Sequence, residues 1–407
     1  MTSEAGKPAL LHIDRLGHKG DGIAPGPIFV PYALPGETIE AMVEGERGRL
    51  IAIKTPSPHR CEPFCPHFTA CGGCATQHLD QETYQGWKRA LVVDALVQAR
   101  VSADVAPLVD AHGDGRRRAT FHARKGLFGF ARFRSHALVD LDACPLLTPG
   151  LNAALPACRA LVGVLRTRDK PLDLLVTQTI TGIDIDIRGA GPLTETLRLT
   201  LAGLARKHDL ARLSNHGDVI LEARAPLVRF GKAETTPPPG AFLQATTAAD
   251  TILADLVAEG LGSAKRVLDL FSGCGTFALA QADRVPVHAV DSDKPAIAAL
   301  DKAARRTQGL KTVTTLVRDL FERPYLPDEL KPFDAVVFDP PRAGAEAQAK
   351  KLATSSIRRI IAVSCNPSTF ARDAAILIAG GYRMGMVTPV DQFRHAGHVE
   401  LVASFTR

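Results

Sequence analysis

Val267-Leu268-Asp269-Leu270-Phe271-Ser272-Gly273-Cys274-Gly275-Thr276 is an apolar strand run that breaks into a glycine loop. Glycines at such a break let the backbone pass close to a ligand. Downstream the chain alternates strand and helix. Strands are expected at 266–270, 287–290, 312–317, 335–338 and 360–363, and two more near 383–387 and 399–405. Helices lie between, at 294–306 and 367–379 among others. This order predicts a doubly wound, Rossmann-like α/β sheet, on which ligands sit beyond the strand carboxyl ends. The loop lacks the six-residue dinucleotide fingerprint, and no P-loop lysine follows it. Asp291 ends the second strand, where a carboxylate can bind both ribose hydroxyls of an adenosine. Asp319 ends the third, where it can face an adenine amino group. Taken in order on successive strands, these pieces predict a nucleoside pocket.

A second signal lies near the end of the same sheet. Val363-Ser364-Cys365-Asn366-Pro367 follows a buried strand run. Asn366 suits a helix N-cap and Pro367 the first helical position, so Cys365 sits at a helix mouth. The helix dipole there favours a thiolate, and a thiolate at a sheet's carboxyl edge is a covalent nucleophile. The plainer reading of a lone cysteine is a small buried hydrophobe. Upstream stands Phe338-Asp339-Pro340-Pro341-Arg342, also at a strand end.

Outward from this sheet, Thr235-Thr236-Pro237-Pro238-Pro239-Gly240 reads as a linker. Residues 116–230 read as a strand-rich α+β domain, and 81–100 as one amphipathic helix with Trp87, Leu91, Ala95 and Leu96 near one face. Residues 1–57 alternate apolar strands with turns such as Gly20-Asp21-Gly22, as a small barrel does. The expected domains are 1–57, 58–236 and 237–407. Cys65, Cys71 and Cys74 crowd a Pro/Gly-rich loop, and Cys144 supplies a fourth thiol. Four thiolates fit tetrahedral zinc or a [4Fe–4S] cluster, and spacing does not separate the two. Cys158 and Cys274 read as structural, and Cys61 as an extra cysteine. In residues 112–134, seven of 23 positions are Lys or Arg and four are Phe. Arg116, Arg117, Arg118, Arg124, Lys125, Arg132 and Arg134 are candidates for RNA phosphates. Alternation assigns the phenylalanines mostly to the core.

Composition excludes little else. The 407 residues are 45% hydrophobic with a net charge of +6. No apolar run approaches the roughly 18 residues of a membrane span, and the first residues lack a signal-peptide core. A cytoplasmic protein is expected. Eight cysteines in such a chain point to a metal site, catalysis or packing rather than to disulfides.

The motifs together resemble the RNA uracil-5-methyltransferase family, within the class I S-adenosylmethionine-dependent methyltransferases. The resemblance covers nearly the whole chain. It implies that Cys365 attacks uracil C6 and that Glu400, in Phe393-Arg394-His395-Ala396-Gly397-His398-Val399-Glu400, removes the C5 proton. It also implies that Gln244, Phe271, Thr276 and Asp339 line the S-adenosylmethionine site. Asp291 stands where the family often has glutamate. Residues 1–57 resemble a TRAM domain, an OB-like RNA-binding barrel. The cysteine pattern resembles the iron–sulfur motif of the ribosomal branch, which implies a [4Fe–4S] cluster over zinc and 23S rRNA as substrate. The alternatives are tRNA and a non-catalytic RNA-binding or ribosome assembly factor. The partner expected is RNA, with no membrane and no obligate protein partner, and the protein is expected to be a monomer.

Overall fold

The computed structural model describes residues 6–165 and 171–407. The first five residues of the expected barrel, and 166–170 of the central region, lie outside the described residues.

A nine-stranded sheet carries the C-terminal half. Its spatial order is Val313–Val317, Val287–Asp291, Val267–Leu270, Ala335–Phe338, Arg359–Ser364, Glu400–Thr406, Thr388–Asp391 and Val109–Asp110, with Arg383–Met384 pairing beside Glu400–Thr406. The first five are parallel. Glu400–Thr406 inserts antiparallel between Arg359–Ser364 and Thr388–Asp391. The chain runs outward from Val267–Leu270 to Val313–Val317, then returns to the other side at Ala335–Phe338. Strand order therefore reverses between Val267–Leu270 and Ala335–Phe338, and a crevice opens there at the carboxyl ends. Both strands are wholly buried, as parallel strands covered on two faces must be.

The helices follow from local signals. Asp293 caps Lys294–Arg306 by accepting from the Ala296 amide at 3.0 Å. Ala296, Ile297, Leu300 and Ala303 then form the buried stripe of that helix. Asn366 caps Pro367–Ala379, accepting from the Ser368 amide at 3.1 Å, with Pro367 in its first turn.

The helix Gln81–Gln98, α1, does not stay with the residues that precede it. Its Val92, Ala95 and Leu96 share one core with Leu268, Val336, Ile360 and Phe370 of the C-terminal half. Val109–Asp110 then extends the C-terminal sheet by pairing with Thr388–Asp391. By packing, residues 81–110 lie with the C-terminal sheet, so a cut at 237 crosses a packed unit. The expected linker at 235–240 is likewise a seam: Thr235 and Pro237 are buried, and the Pro237 carbonyl accepts from buried Arg212 at 2.9 Å.

The remaining sheets match their sequence patterns. Seven strands between Arg118 and Glu222 form a mostly antiparallel sheet under the helices Leu155–Leu165 and Glu195–Lys207. At the N-terminus, six strands lie in one sheet whose two spatial ends, Lys7–His12 and Arg15–Leu16, are joined by two residues. That adjacency forces the sheet to curl on itself around Ile13, Val30, Ile39 and Ala41. Among the described residues no helix is long and apolar enough to cross a membrane.

Candidate active site

The antiparallel insertion of Glu400–Thr406 makes the site. The last pair of its register joins Ser364 to Leu401, so Cys365 and Glu400 flank that pair at the strand ends, and the Glu400 charge acts on Cys365. Cys365 lines a cleft of about 430 Å³ with Arg342, Asn366, Ala396, Gly397 and His398. The far wall comes from His18 and Lys19 of the curled sheet, Gly72 and Gly73 of the cysteine loop, and Phe133. Asn366 Nδ2 donates to the Arg342 carbonyl at 3.0 Å and Thr369 Oγ1 at 3.2 Å, which ties the two motif loops together.

The expected thiolate is not what this environment favours. Burial pushes the Cys365 thiol up to about 11, and the Glu400 and Asp339 carboxylates push the same way. The helix mouth is present, but desolvation and two acids outweigh it. Glu400 is buried, and loss of water raises its carboxyl to about 7, against the pull of Gln392, Arg342 and Lys88. Asp339 is held well above the usual carboxylate range by desolvation, then by Glu400 and Asp269. A base poised near neutrality beside a cysteine suits proton transfer at C5 of a pyrimidine.

A chain of amides connects the acids. Gln392 Nε2 donates to Glu400 Oε1 at 3.0 Å and to Gln244 Oε1 at 2.6 Å. Gln244 Nε2 donates in turn to Asp339 Oδ2 at 3.4 Å. The Ala245 amide donates to Gln392 Oε1 at 2.6 Å, which fixes that amide's orientation. Gln392 went unread in the sequence. Its only signal there is an uncharged polar residue closing an apolar strand beside the terminal motif.

The glycine loop has the form the strand pattern predicts. Phe271, Gly273 and Gly275 all take positive φ, so the backbone turns tightly at the crevice. Asp291 pins this turn, accepting from the Gly273 amide at 2.8 Å through one oxygen and from the Asp293 amide at 2.9 Å through the other. Asp319 accepts from the Phe321 amide at 2.9 Å, which places the Phe321 ring 5.5 Å from that of Phe271. Thr276 is half-buried at the end of the loop. Asp269, also unread, is 1% exposed behind the loop. Burial raises its carboxyl to about 8, against a hydrogen bond from the Ala278 backbone and with Asp291 pushing the same way. A tight glycine turn with acids at the neighbouring strand ends and an aromatic pair alongside fits a nucleoside such as that of S-adenosylmethionine.

The four candidate ligand cysteines share one neighbourhood. Cys71 feels the charge of Cys65, Cys74 that of Cys144 and Cys71, and Cys144 that of Cys65 and Cys71. Burial raises the thiols of Cys71, Cys74 and Cys144, Cys74 to about 12. The donor chemistry fits a tetrathiolate site. The side-chain placement does not complete one: among the described residues no group of three or more His, Cys, Asp or Glu is set to hold a metal ion. Cys61 is exposed, and Cys158 and Cys274 are buried in the packed cores.

The basic segment divides. Arg117 is a correction: it is 5% exposed and ion-paired to buried Asp250 at 2.5 Å, so it joins two parts of the fold and is closed to an RNA phosphate. Arg118 is half-buried over the Phe242 ring and donates to the Gly240 carbonyl. Arg116 stacks on Phe393, and Arg134 pairs with Asp21. Arg124, Lys125, Arg132 and Arg134 are exposed. Phe121 and Phe128 are core residues, as alternation requires.

Comparison with known proteins agrees with this geometry. The family described as tRNA (Uracil-5-)-methyltransferase matches residues 325–406, and Conserved hypothetical protein 95 matches 250–364. An uncharacterized RNA methyltransferase of Brucella suis is 47% identical, over 100% of this chain and 99% of its own. The 23S rRNA (uracil(1939)-C(5))-methyltransferase of Vibrio campbellii is 31% identical, over 98% and 95%. The crystal structure of Pyrococcus abyssi tRNA (uracil-54, C5)-methyltransferase with S-adenosyl-L-homocysteine shares the fold, with TM-score 0.78 at 24% identity over 98% and 99% of the two chains. With relatives matched end to end, a 23S rRNA uracil-C5 enzyme at 31% identity among them, the chain belongs to the RNA uracil-5-methyltransferase family.

Proposed function

We propose that the protein methylates C5 of a uridine in 23S rRNA through a covalent adduct at Cys365. The nearness of Cys365 and Glu400, which flank the terminal Ser364–Leu401 pair, supports this reading. Uracil C5 is a poor nucleophile, and addition of a thiolate at C6 makes it a good one. When bound, S-adenosylmethionine supplies a methyl group on a sulfonium. Cys365 gives its proton to a neighbouring carboxylate and adds to C6, and C5 then takes the methyl group. Glu400 accepts the C5 proton. The electron pair left behind restores the C5–C6 double bond and expels Cys365. One proton is released per methyl transferred. Gln244, Phe271, Thr276, Asp291, Asp319 and Asp339 hold the cofactor. The target base must leave its stack to enter the cleft.

The end-to-end similarity to a 23S rRNA enzyme favours ribosomal RNA over tRNA. The curled N-terminal sheet serves as the TRAM barrel that holds the strand. Arg116, Arg118, Arg124, Lys125, Arg132 and Arg134 supply phosphate contacts. Cys65, Cys71, Cys74 and Cys144 carry a [4Fe–4S] cluster that staples their loop. Support for it is the mutual influence of the four thiols, which places them in one neighbourhood. Iron and acid-labile sulfide in anaerobically purified protein, lost together in Cys74→Ser, test this assignment.

The direct test of the reaction uses unmodified 23S rRNA tritiated at uracil C5. Release of tritium that Cys365→Ala reduces to background is the expected result. No release from 23S rRNA, with release from tRNA, moves the substrate to tRNA. No release from either, with cofactor bound, overturns the uracil-C5 reading and leaves an RNA-binding or assembly role.

A further inference from the structure

The base strand begins only after residues 392–399, a loop with neither helix nor strand. Something has to fix this loop if Glu400 is to meet its proton. Lys88, on α1, ends inside it. Its Nζ donates to the carbonyls of Phe393 at 3.3 Å, Ala396 at 2.9 Å and His398, and pairs with Asp391 Oδ1 at 2.8 Å. The side chain is 0% exposed. One turn earlier on α1, the Tyr84 hydroxyl donates to Asp391 Oδ2 at 2.5 Å and accepts from the His395 amide at 3.0 Å.

The residue beside Lys88 holds the opposite wall of the cleft. Trp87 Nε1 donates to the Gly17 carbonyl at 3.0 Å, next to His18 and Lys19. Gly397 lies so close to that wall that a Cβ there would stand 2.4 Å from the His18 carbonyl oxygen. An apolar side chain of the same length would fill the Lys88 site without desolvating a charge. What the ammonium adds is the convergence of three loop carbonyls and the Asp391 carboxylate that ends the preceding strand.

We propose that Lys88 is a positioning residue for the base step, fixing the loop that presents Glu400 to C5 and that lines the target-base cleft. The inference rests on the uracil-C5 reading above. Lys88 also supplies a cation near Glu400, where Asp339 and Arg342 face it from one loop and Cys365 from another. Loss of the ammonium therefore raises the proton affinity of Glu400.

Lys88→Met and Tyr84→Phe test this, with wild type alongside, in single turnovers on C5-tritiated RNA and S-adenosylmethionine. In Lys88→Met the cofactor binds as in wild type and the methyl group transfers. Proton removal then lags by about 10–100-fold, so a methylated Cys365–RNA adduct accumulates on denaturing gels. The pH profile of tritium release moves toward alkaline. Tyr84→Phe shows the same adduct to a smaller degree. A wild-type adduct level and pH profile in Lys88→Met overturn the proposal. So does an equal slowing of methyl transfer and tritium release without adduct, which is what general destabilisation gives. If Lys88→Met does not fold, Tyr84→Phe decides: no adduct there overturns the proposal. Absence of tritium release in wild type brings down the uracil-C5 reading and this inference with it. Release in wild type with a normal Lys88→Met brings down the inference alone.

Discussion

In the proposed reaction, Cys365 and Glu400 are the two residues whose protonation must be exchanged during one turnover. Glu400 stands at about 7 and Cys365 at about 11, both raised first by burial. Deprotonation of either group favours the reaction, so activity should climb with pH through about 7 and keep a shallower rise above it. A rate profile that falls between pH 6 and 8 would contradict this. Glu400→Gln keeps the shape and the Gln392 contact but removes the base. It should bind cofactor, form the adduct and fail to release it, with tritium release down by at least about 100-fold. Cys365 was legible because its strand, cap and proline are consecutive in sequence. Its protonation state was not, because the opposing acids arrive from positions 339 and 400 through the sheet register.

At the scale of elements, the parallel strands and helices after 266 were legible to within a residue or so, whereas the strand expected near 383–387 is only Arg383–Met384 and Thr388–Asp391 went unread. Lys294–Arg306 and Pro367–Ala379 begin and end where caps and prolines place them. The glycine loop was legible as a ligand turn, and its strictness is visible in three dimensions. Gly275 has φ +99°, and a Cβ there would stand 2.8 Å from Leu279 Cγ and 2.9 Å from Leu300 Cγ. Gly275→Ala should cost about 1–3 kcal/mol in stability and weaken S-adenosylmethionine binding, read by thermal melts and calorimetry. Unchanged values for both would mean that the loop can shift without loss. The partner of α1 was not legible. Its apolar stripe names a buried face but not the surface that covers it, and Lys88 sits within that stripe between Tyr84 and Val92.

For the whole molecule, the carboxyls gathered at the crevice make stability depend on pH. Asp269 rises from 3.8 to about 8 and Glu400 from 4.5 to about 7, and Asp339 rises well above 3.8. Between those limits the folded chain binds more protons than the unfolded one. Their contribution is therefore full at the acid end and is lost as pH rises through the folded values. Buried His78, His112 and His398, held low by desolvation, act with the opposite sign, so the test is a comparison with wild type: Asp269→Asn should gain melting temperature relative to wild type on going from pH 5.5 to pH 8. An equal change in both proteins over this range would refute it. The succession of a curled sheet, a mostly antiparallel sheet and a largely parallel one was legible in outline from strand patterns and turn clusters. The seams were not: Arg117 read as an RNA contact because a basic run looks solvated until its partner Asp250, far along the chain, is in place.

The return of residues 81–110 to the catalytic sheet sets rules for building chimeras. A graft meant to retarget the enzyme cannot be joined at the proline run, because the transplanted half would arrive without the ammonium and indole that brace its cleft. The workable junction lies before α1, after the strand Arg47–Thr55 and its cysteine loop. Even there, an incoming barrel must offer a carbonyl to Trp87 and a backbone flat enough to lie against Gly397. Substrate choice and base placement share one helix, so exchanging the first without the second calls for a matched loop as well as a matched domain.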